Sequence, residues 1–208
     1  MTSTEAHSTG SSSGIWNLPN ILTMLRIVLV PFFVWFLAAD NSSHGFWRWA
    51  AVVAFAVAIY TDKLDGDIAR SRGLVTDFGK IADPIADKLL IGSALVMLSI
   101  LNELPWWITI LILVREWGIT ALRFFVIRYG VIPASRGGKL KTVVQTLAIF
   151  LYVIPLAALA PWLGVLALGV MLVAVAITVW TGVQYVVEAL KLRAQGLPSK
   201  RRPDGSAS

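Results

Sequence analysis

Six stretches of the chain, roughly 20–39, 46–64, 82–102, 106–128, 141–160 and 162–190, are apolar all round rather than along a single stripe. A helix rises about 1.5 Å per residue and a bilayer's hydrocarbon core is about 30 Å thick, so runs of this length can cross it. The pattern predicts an all-α, polytopic membrane protein with six transmembrane helices. The last run exceeds one crossing, and a helical extension is predicted beyond about Tyr185. Trp47, Trp49, Trp106, Trp107 and Trp162 stand at the ends of these runs. Amphipathic rings favour the headgroup layer there.

The polar segments between the runs give an orientation. Lys63, Arg70, Arg72 and Lys80 follow the second run; Arg128, Arg136, Lys139 and Lys141 precede the fifth; Lys191, Arg193, Lys200, Arg201 and Arg202 close the chain. The opposite connections carry only Arg48. Such a bias puts both termini in the cytoplasm of a multi-pass cell-membrane protein. Residues 1–14 read as a disordered polar tail, 15–193 as one membrane domain and 194–208 as a basic, disordered tail. The opening segment has neither the basic start nor the cleavage site of a secretory signal peptide.

Composition sharpens this picture. Of the 208 residues, 57% are hydrophobic and only 14% charged, where a soluble domain carries about 25% charged. With no Cys and two His, thiolate metal sites, disulfides, thiol nucleophiles and His-based triads are set aside. The net charge of +6 belongs to topology and to the tail, which could also touch anionic lipid; no nucleic-acid partner is expected. Chemistry must rest on Asp, Glu, Arg, Lys or Ser/Thr.

Half of the acidic residues fall within 62–87: Asp62, Asp65, Asp67, Asp77, Asp83 and Asp87. Ionisable groups at membrane depth are costly and usually mark function. At about 100° per residue, Asp65, Gly66 and Ala69 lie within about 60° of Asp62, whereas Asp67 points about 140° away. On the next helix Gly79 and Asp87 flank Asp83 at about 40°, with Asp77 about 120° off. Two helix faces, each with a carboxylate pair and small neighbours, would bring four carboxylates together, and these cannot all ionise without cations. Oxygen-only ligands favour hard ions such as Mg²⁺ or Mn²⁺, which commonly bridge a diphosphate.

The order Asp62-x2-Asp65-Gly66-x2-Ala69-Arg70-x8-Gly79-x3-Asp83-x3-Asp87 resembles, position for position, the signature of the CDP-alcohol phosphotransferase family. The resemblance implies a six-span homodimer with a polar cavity open to the cytoplasm. It also implies transfer of a substituted phosphoryl group from a CDP-linked donor to an alcohol, with release of CMP. Asp62, Asp65, Asp83 and Asp87 then hold the divalent metal, two ions of Mg²⁺ or Mn²⁺. By analogy with the family, Asp87 doubles as the base that takes the hydroxyl proton. Gly66, Ala69, Arg70 and Gly79 hold the cytidine diphosphate, with Arg70 on its phosphates. Thr23 and Asn20 line the nucleotide end, although an N-cap of the first span explains Asn20 equally well.

Side motifs bear on the acceptor. They are Asn17-Leu-Pro-Asn-Ile-Leu-Thr-Met-Leu-Arg26, Asp83-Pro-Ile-Ala-Asp-Lys88, Arg115-Glu116 with Ala121-Leu122-Arg123, and Gly138-Lys139-Leu-Lys141-Thr142 with Gln145. They are similar to the branch of the family that joins CDP-diacylglycerol to sn-glycerol 3-phosphate. A phosphorylated acceptor needs cations, and Arg115, Arg123, Lys139 and Lys141 are the candidates. Both arginines are expected inside the fourth span rather than at its end, with Glu116 sharing a face with Arg123. Anchoring at the cytoplasmic surface is the competing role for the two lysines; Arg26 and Lys88 need only snorkelling or pairing with the carboxylates. Members that use phosphatidylglycerol as acceptor remain the neighbouring alternative. A divalent-cation transporter would also gather carboxylates, but it leaves the Gly–Ala–Arg spacing unexplained and would show broken helices or repeats.

Overall fold

Residues 17–71, 76–126 and 136–196 are described by the structure, a computed structural model. Their elements are helices: α1 (Leu18–Asp40), α2 (Phe46–Ser71), α3 (Asp77–Ile100), α4 (Trp106–Val126), α5 (Arg136–Val153), α6 (Leu156–Leu159) and α7 (Pro161–Gly196). No strand occurs among the described residues. The expected all-α class is therefore observed, and α7 does continue as one 36-residue helix, about 54 Å long. The apolar run 141–160 is not one helix. It breaks at Ile154–Pro155, where proline supplies no N–H and crowds the preceding turn, and resumes as the four-residue α6. α1 and the segment Pro161–Lys191 of α7 are long and apolar enough to cross a membrane, and Leu140–Val153 is a shorter apolar helix.

The helices form two compact units, Met1–Met97 and Leu98–Ser208. In the first, α1 packs on α2. The Asn17 side chain caps α1 by accepting from the Asn20 N–H at 3.0 Å, and Pro19 sits in the first turn, where no N–H is needed. The buried side of α1 recurs every three or four residues: Asn20, Thr23, Arg26, Val30, Phe33, Leu37 and Asp40. Apart from Asp40 at the end of the helix, its polar members lie in the first half and its apolar members in the second. Opposite them α2 buries Ala51, Ala54 and Ala58, small residues that let the helices approach, together with Phe55, whose ring meets that of Phe33 at 5.3 Å. Leu25, Val28, Phe32, Trp35, Val53 and Tyr60 face outward, an apolar exterior suited to lipid.

Asp40 ends α1 and closes the turn to α2. Its carboxylate accepts from the Ser43 hydroxyl at 3.0 Å and from the His44 and Gly45 N–H groups at 3.2 and 3.0 Å. At this end Trp47 packs against Trp35, Phe36 and Phe46 with ring centroids 5.1 to 5.9 Å apart. Trp49, Trp106, Trp107 and Trp162 are likewise exposed, as an aromatic belt requires.

In the second unit α7 is the centre, packed against α4, α5 and α6. It buries Ala167, Met171, Ala174, Val175, Thr178 and Thr181, again at helical spacing. As in α1, the stripe changes along its length from apolar to hydroxyl-bearing residues. A Ser99–Thr109 hydroxyl contact of 2.7 Å ties the start of this unit to α4.

Candidate active site

The polar half of the α1 stripe meets the signature carboxylates. Arg26 is fully buried, with Nη1 2.7 Å from Asp62 Oδ1 and Nη2 2.6 Å from Asp65 Oδ2. Asp62 and Asp65 lie one turn apart on α2, so a single guanidinium spans both. The Thr23 hydroxyl sits 2.6 Å from Asp83 Oδ1 and 3.3 Å from Asp65 Oδ2, and donates to Asp83 as the nearer partner. Three of the four expected carboxylates thus converge on two α1 side chains spaced three residues apart. Asp87 follows one turn after Asp83, half-buried. Asp67 is exposed, as is Asp62.

Gly79 and Asn20 are positioned by packing. Thr76 accepts from the Gly79 N–H at 3.1 Å, capping α3, and its hydroxyl donates to Asn20 Oδ1 at 2.9 Å. A Cβ on Gly79 would lie 3.0 Å from Asn20 Oδ1 and 3.3 Å from Thr76 Oγ1. The glycine lets the start of α3 approach α1. Asn20 is not the N-cap of the first helix; Asn17 is, because Pro19 fixes the start of the helix before residue 20. Gly66 is half-buried on α2, whereas the side chains of Ala69, Arg70, Asp77 and Lys139 lie outside the described residues.

Among the described residues no three carboxylates or imidazoles are already set to hold a metal ion. Arg26 and Thr23 take the inward oxygens instead. The donor set is nonetheless suited to a hard divalent cation: it is all oxygen, and Arg26 meets two of the carboxylates, Asp62 and Asp65, while Asp83 meets the neutral Thr23 hydroxyl.

A second polar cluster lies in the other unit. Arg115 Nη1 is 3.1 Å from Glu116 Oε1, and the same oxygen accepts from Lys141 on α5. Arg115 Nη2 donates to Thr181 on α7 at 3.1 Å, while its Nε is buried without a hydrogen-bond partner. A Cβ on Gly182 would stand 3.3 Å from Arg115 Cγ, so the glycine allows the arginine to lie flat on α7. Gln145 and Thr178, both buried, continue the polar surface at 3.4 Å. Lys141 is itself buried, 5% exposed.

Arg123 differs from expectation. It is exposed, in the last described turn of α4. Its Nε lies 3.4 Å from the Tyr185 hydroxyl, with Cζ 5.9 Å from that ring's centre. Glu116 pairs with Arg115 and Lys141 rather than with Arg123. The sequence left Arg26 between snorkelling and pairing with the carboxylates, and the structure shows it paired with Asp62 and Asp65.

Comparison with known proteins adds to this geometry. A family model described as CDP-alcohol phosphatidyltransferase matches residues 16–180. A probable phosphatidylglycerophosphate synthase of Mycobacterium tuberculosis is 54% identical over 186 residues, 88% of each chain. Proteins named CDP-diacylglycerol–glycerol-3-phosphate 3-phosphatidyltransferase are similar as well. That of Bacillus subtilis is 36% identical over 73% of this chain and 89% of its own length. That of Shigella flexneri is 33% identical over 84% and 95%.

Proposed function

The chain belongs to the CDP-alcohol phosphatidyltransferase family, and from that premise we propose that it transfers the phosphatidyl group of CDP-diacylglycerol to sn-glycerol 3-phosphate, giving phosphatidylglycerophosphate and CMP. It is an enzyme of phospholipid biosynthesis. The observation that carries the acceptor assignment is the gathering of Arg115 and buried Lys141 around one oxygen of Glu116, two cations that a phosphomonoester would match.

The reaction breaks a diphosphate at the phosphorus that bears the lipid while a primary hydroxyl attacks in line. Such transfers depend mainly on positioning and charge neutralisation. Asp62, Asp65, Asp83 and Asp87 would hold the divalent metal, Mg²⁺ or Mn²⁺ and two ions in this reading. When bound it neutralises the diphosphate and polarises the phosphorus under attack. Arg26 keeps Asp62 and Asp65 side by side, and Thr23 keeps Asp65 and Asp83 together, so the carboxylates are held in place in advance. Asp87 takes the proton of the attacking hydroxyl. Gly66, Ala69, Arg70 and Gly79, with Asn20 and Thr23, bind the cytidine diphosphate. Arg115, Lys141, Lys139 and Arg123 bind the acceptor's phosphate.

The protein works as a homodimer in the cell membrane, crossing it six times with both termini in the cytoplasm. Support for this topology comes from the cation bias of the connections, the apolar helix exteriors and the exposed tryptophans at helix ends. The acceptor is tested by supplying membranes that contain the protein with CDP-diacylglycerol and either sn-glycerol 3-phosphate or phosphatidylglycerol, then following CMP release. Release should require glycerol 3-phosphate and a divalent cation. Release with phosphatidylglycerol alone would replace this reading by a cardiolipin synthase.

A further inference from the structure

The acceptor cluster contains an anion of its own. Glu116 Oε1 receives both Arg115 Nη1 and Lys141 Nζ, so one carboxylate oxygen fills the position between the two cations. The glutamate lies ten residues, about 15 Å, into α4 from Trp106, where an isolated carboxylate is costly. Its side chain is 20% exposed and those of Arg115 and Lys141 are 17% and 6%, so the carboxylate is the most accessible member of the three. Arg115 Nε is buried and unpartnered, a donor still available to a further acceptor oxygen. Gly182 adds no side chain beneath it, and Thr181 fixes its far nitrogen.

From this arrangement we propose that Glu116 is a stand-in for the acceptor's phosphate: it holds Arg115 and Lys141 together and is displaced when a phosphomonoester dianion binds. The inference rests on the reading of Arg115 and Lys141 as the acceptor-phosphate site and names a determinant of its selectivity. Against these two cations Glu116 supplies one negative charge. A dianion that displaces the carboxylate neutralises both cations and offers more oxygens, one of them to Arg115 Nε. A monoanionic phosphodiester brings no more charge than the glutamate it must displace. Glu116 thereby selects a terminal phosphate over an esterified one, at some expense in affinity for every anion.

The test uses the full chain in detergent micelles, with Glu116→Gln and Lys141→Met beside wild type. Loss of the competing carboxylate should lower the KM for sn-glycerol 3-phosphate by about tenfold, the equivalent of one charge-assisted hydrogen bond, and leave the KM for CDP-diacylglycerol where it was. Selectivity should relax, with the methyl phosphodiester of glycerol 3-phosphate gaining more than the monoester. Independently of turnover, millimolar inorganic phosphate should raise the unfolding temperature of Glu116→Gln more than that of wild type at matched ionic strength. Should Glu116→Gln fail to accumulate, Glu116→Asp keeps the charge on a shorter stem, and its weaker clamp should move the acceptor KM in the same direction. An acceptor KM that rises or stays put in these variants, while Lys141→Met raises it, overturns the stand-in and leaves the acceptor site intact. An acceptor KM unmoved by Lys141→Met overturns the acceptor site itself, and the stand-in with it.

Discussion

Arg26 has no exposure and two carboxylate partners, and this is the arrangement in which removing one member of an ion pair does most damage. The metal-ligating reading separates the carboxylates around it from their neighbours on the same helices. Replacing Asp62, Asp65, Asp83 or Asp87 by Asn should lower the rate of CMP release by about 10²-fold or more, whereas Asp67→Asn, on an exposed position, should lose little. Equal losses at Asp62 and Asp67 would remove the case for a one-sided carboxylate site. The spacing of the aspartates was readable because it depends on helical periodicity alone. The roles of Thr23 and Arg26 were not, since their hydroxyl and guanidinium acquire meaning only from α2 and α3 packed against them. Glu116 shows the same limit: seven residues along one helix pointed to Arg123, but a lysine on another helix takes the carboxylate.

At the scale of elements, positions without side chains set how closely helices approach. Gly79 and Gly169 are both helical, but a Cβ on Gly79 would meet Asn20 Oδ1 at 3.0 Å, while Gly169 has nothing within 4 Å. Gly79→Ala should therefore destabilise the protein by about 1–3 kcal/mol through overpacking. Gly169→Ala should stabilise it by about 0.5–1 kcal/mol, because alanine loses less chain entropy in a helix. Thermal unfolding of the two variants in the same detergent decides; a stabilised Gly79→Ala would mean that α1 and α3 do not meet at Asn20. From the sequence alone Gly79 could be assigned to the ligand through its place in the signature. The packing reason needed the neighbouring helix. Helix ends were legible to within a few residues where Pro, Asn or Gly mark them, as at Asn17 and Gly45. The break at Pro155 was hidden because the hydrophobic run continues through it without a polar residue.

For the whole molecule the question is how an apolar exterior, two polar clusters and thirteen cations on alternate connections are arranged across a bilayer. The outward faces of α1, α2 and α7 carry large apolar residues, so water is the wrong solvent for them. The cation bias then fixes direction, since basic connections resist translocation. Asp40 and its turn lie beside the Trp47 aromatic cluster, and in the proposed six-span arrangement Ser43 would lie at the outer surface. Because the chain has no cysteine, single substitutions report location without background. Gly10→Cys, Ser135→Cys and Lys200→Cys should react with a membrane-impermeant maleimide only after the membrane is opened, and Ser43→Cys should react on intact cells. The four positions test independent crossings: residues 10 and 43 report the first helix, 43 and 135 the next three, and 135 and 200 the last two. A change in the parity of crossings in any of these intervals, to even where one or three are expected or to odd where two are, reverses the expected result at its far end. Labelling of residue 200 from outside would put the basic tail on the wrong face and break the topology on which the cytoplasmic site depends. Labelling of residue 43 only after opening would instead mean that α1 and α2 form a hairpin that never reaches the outer surface.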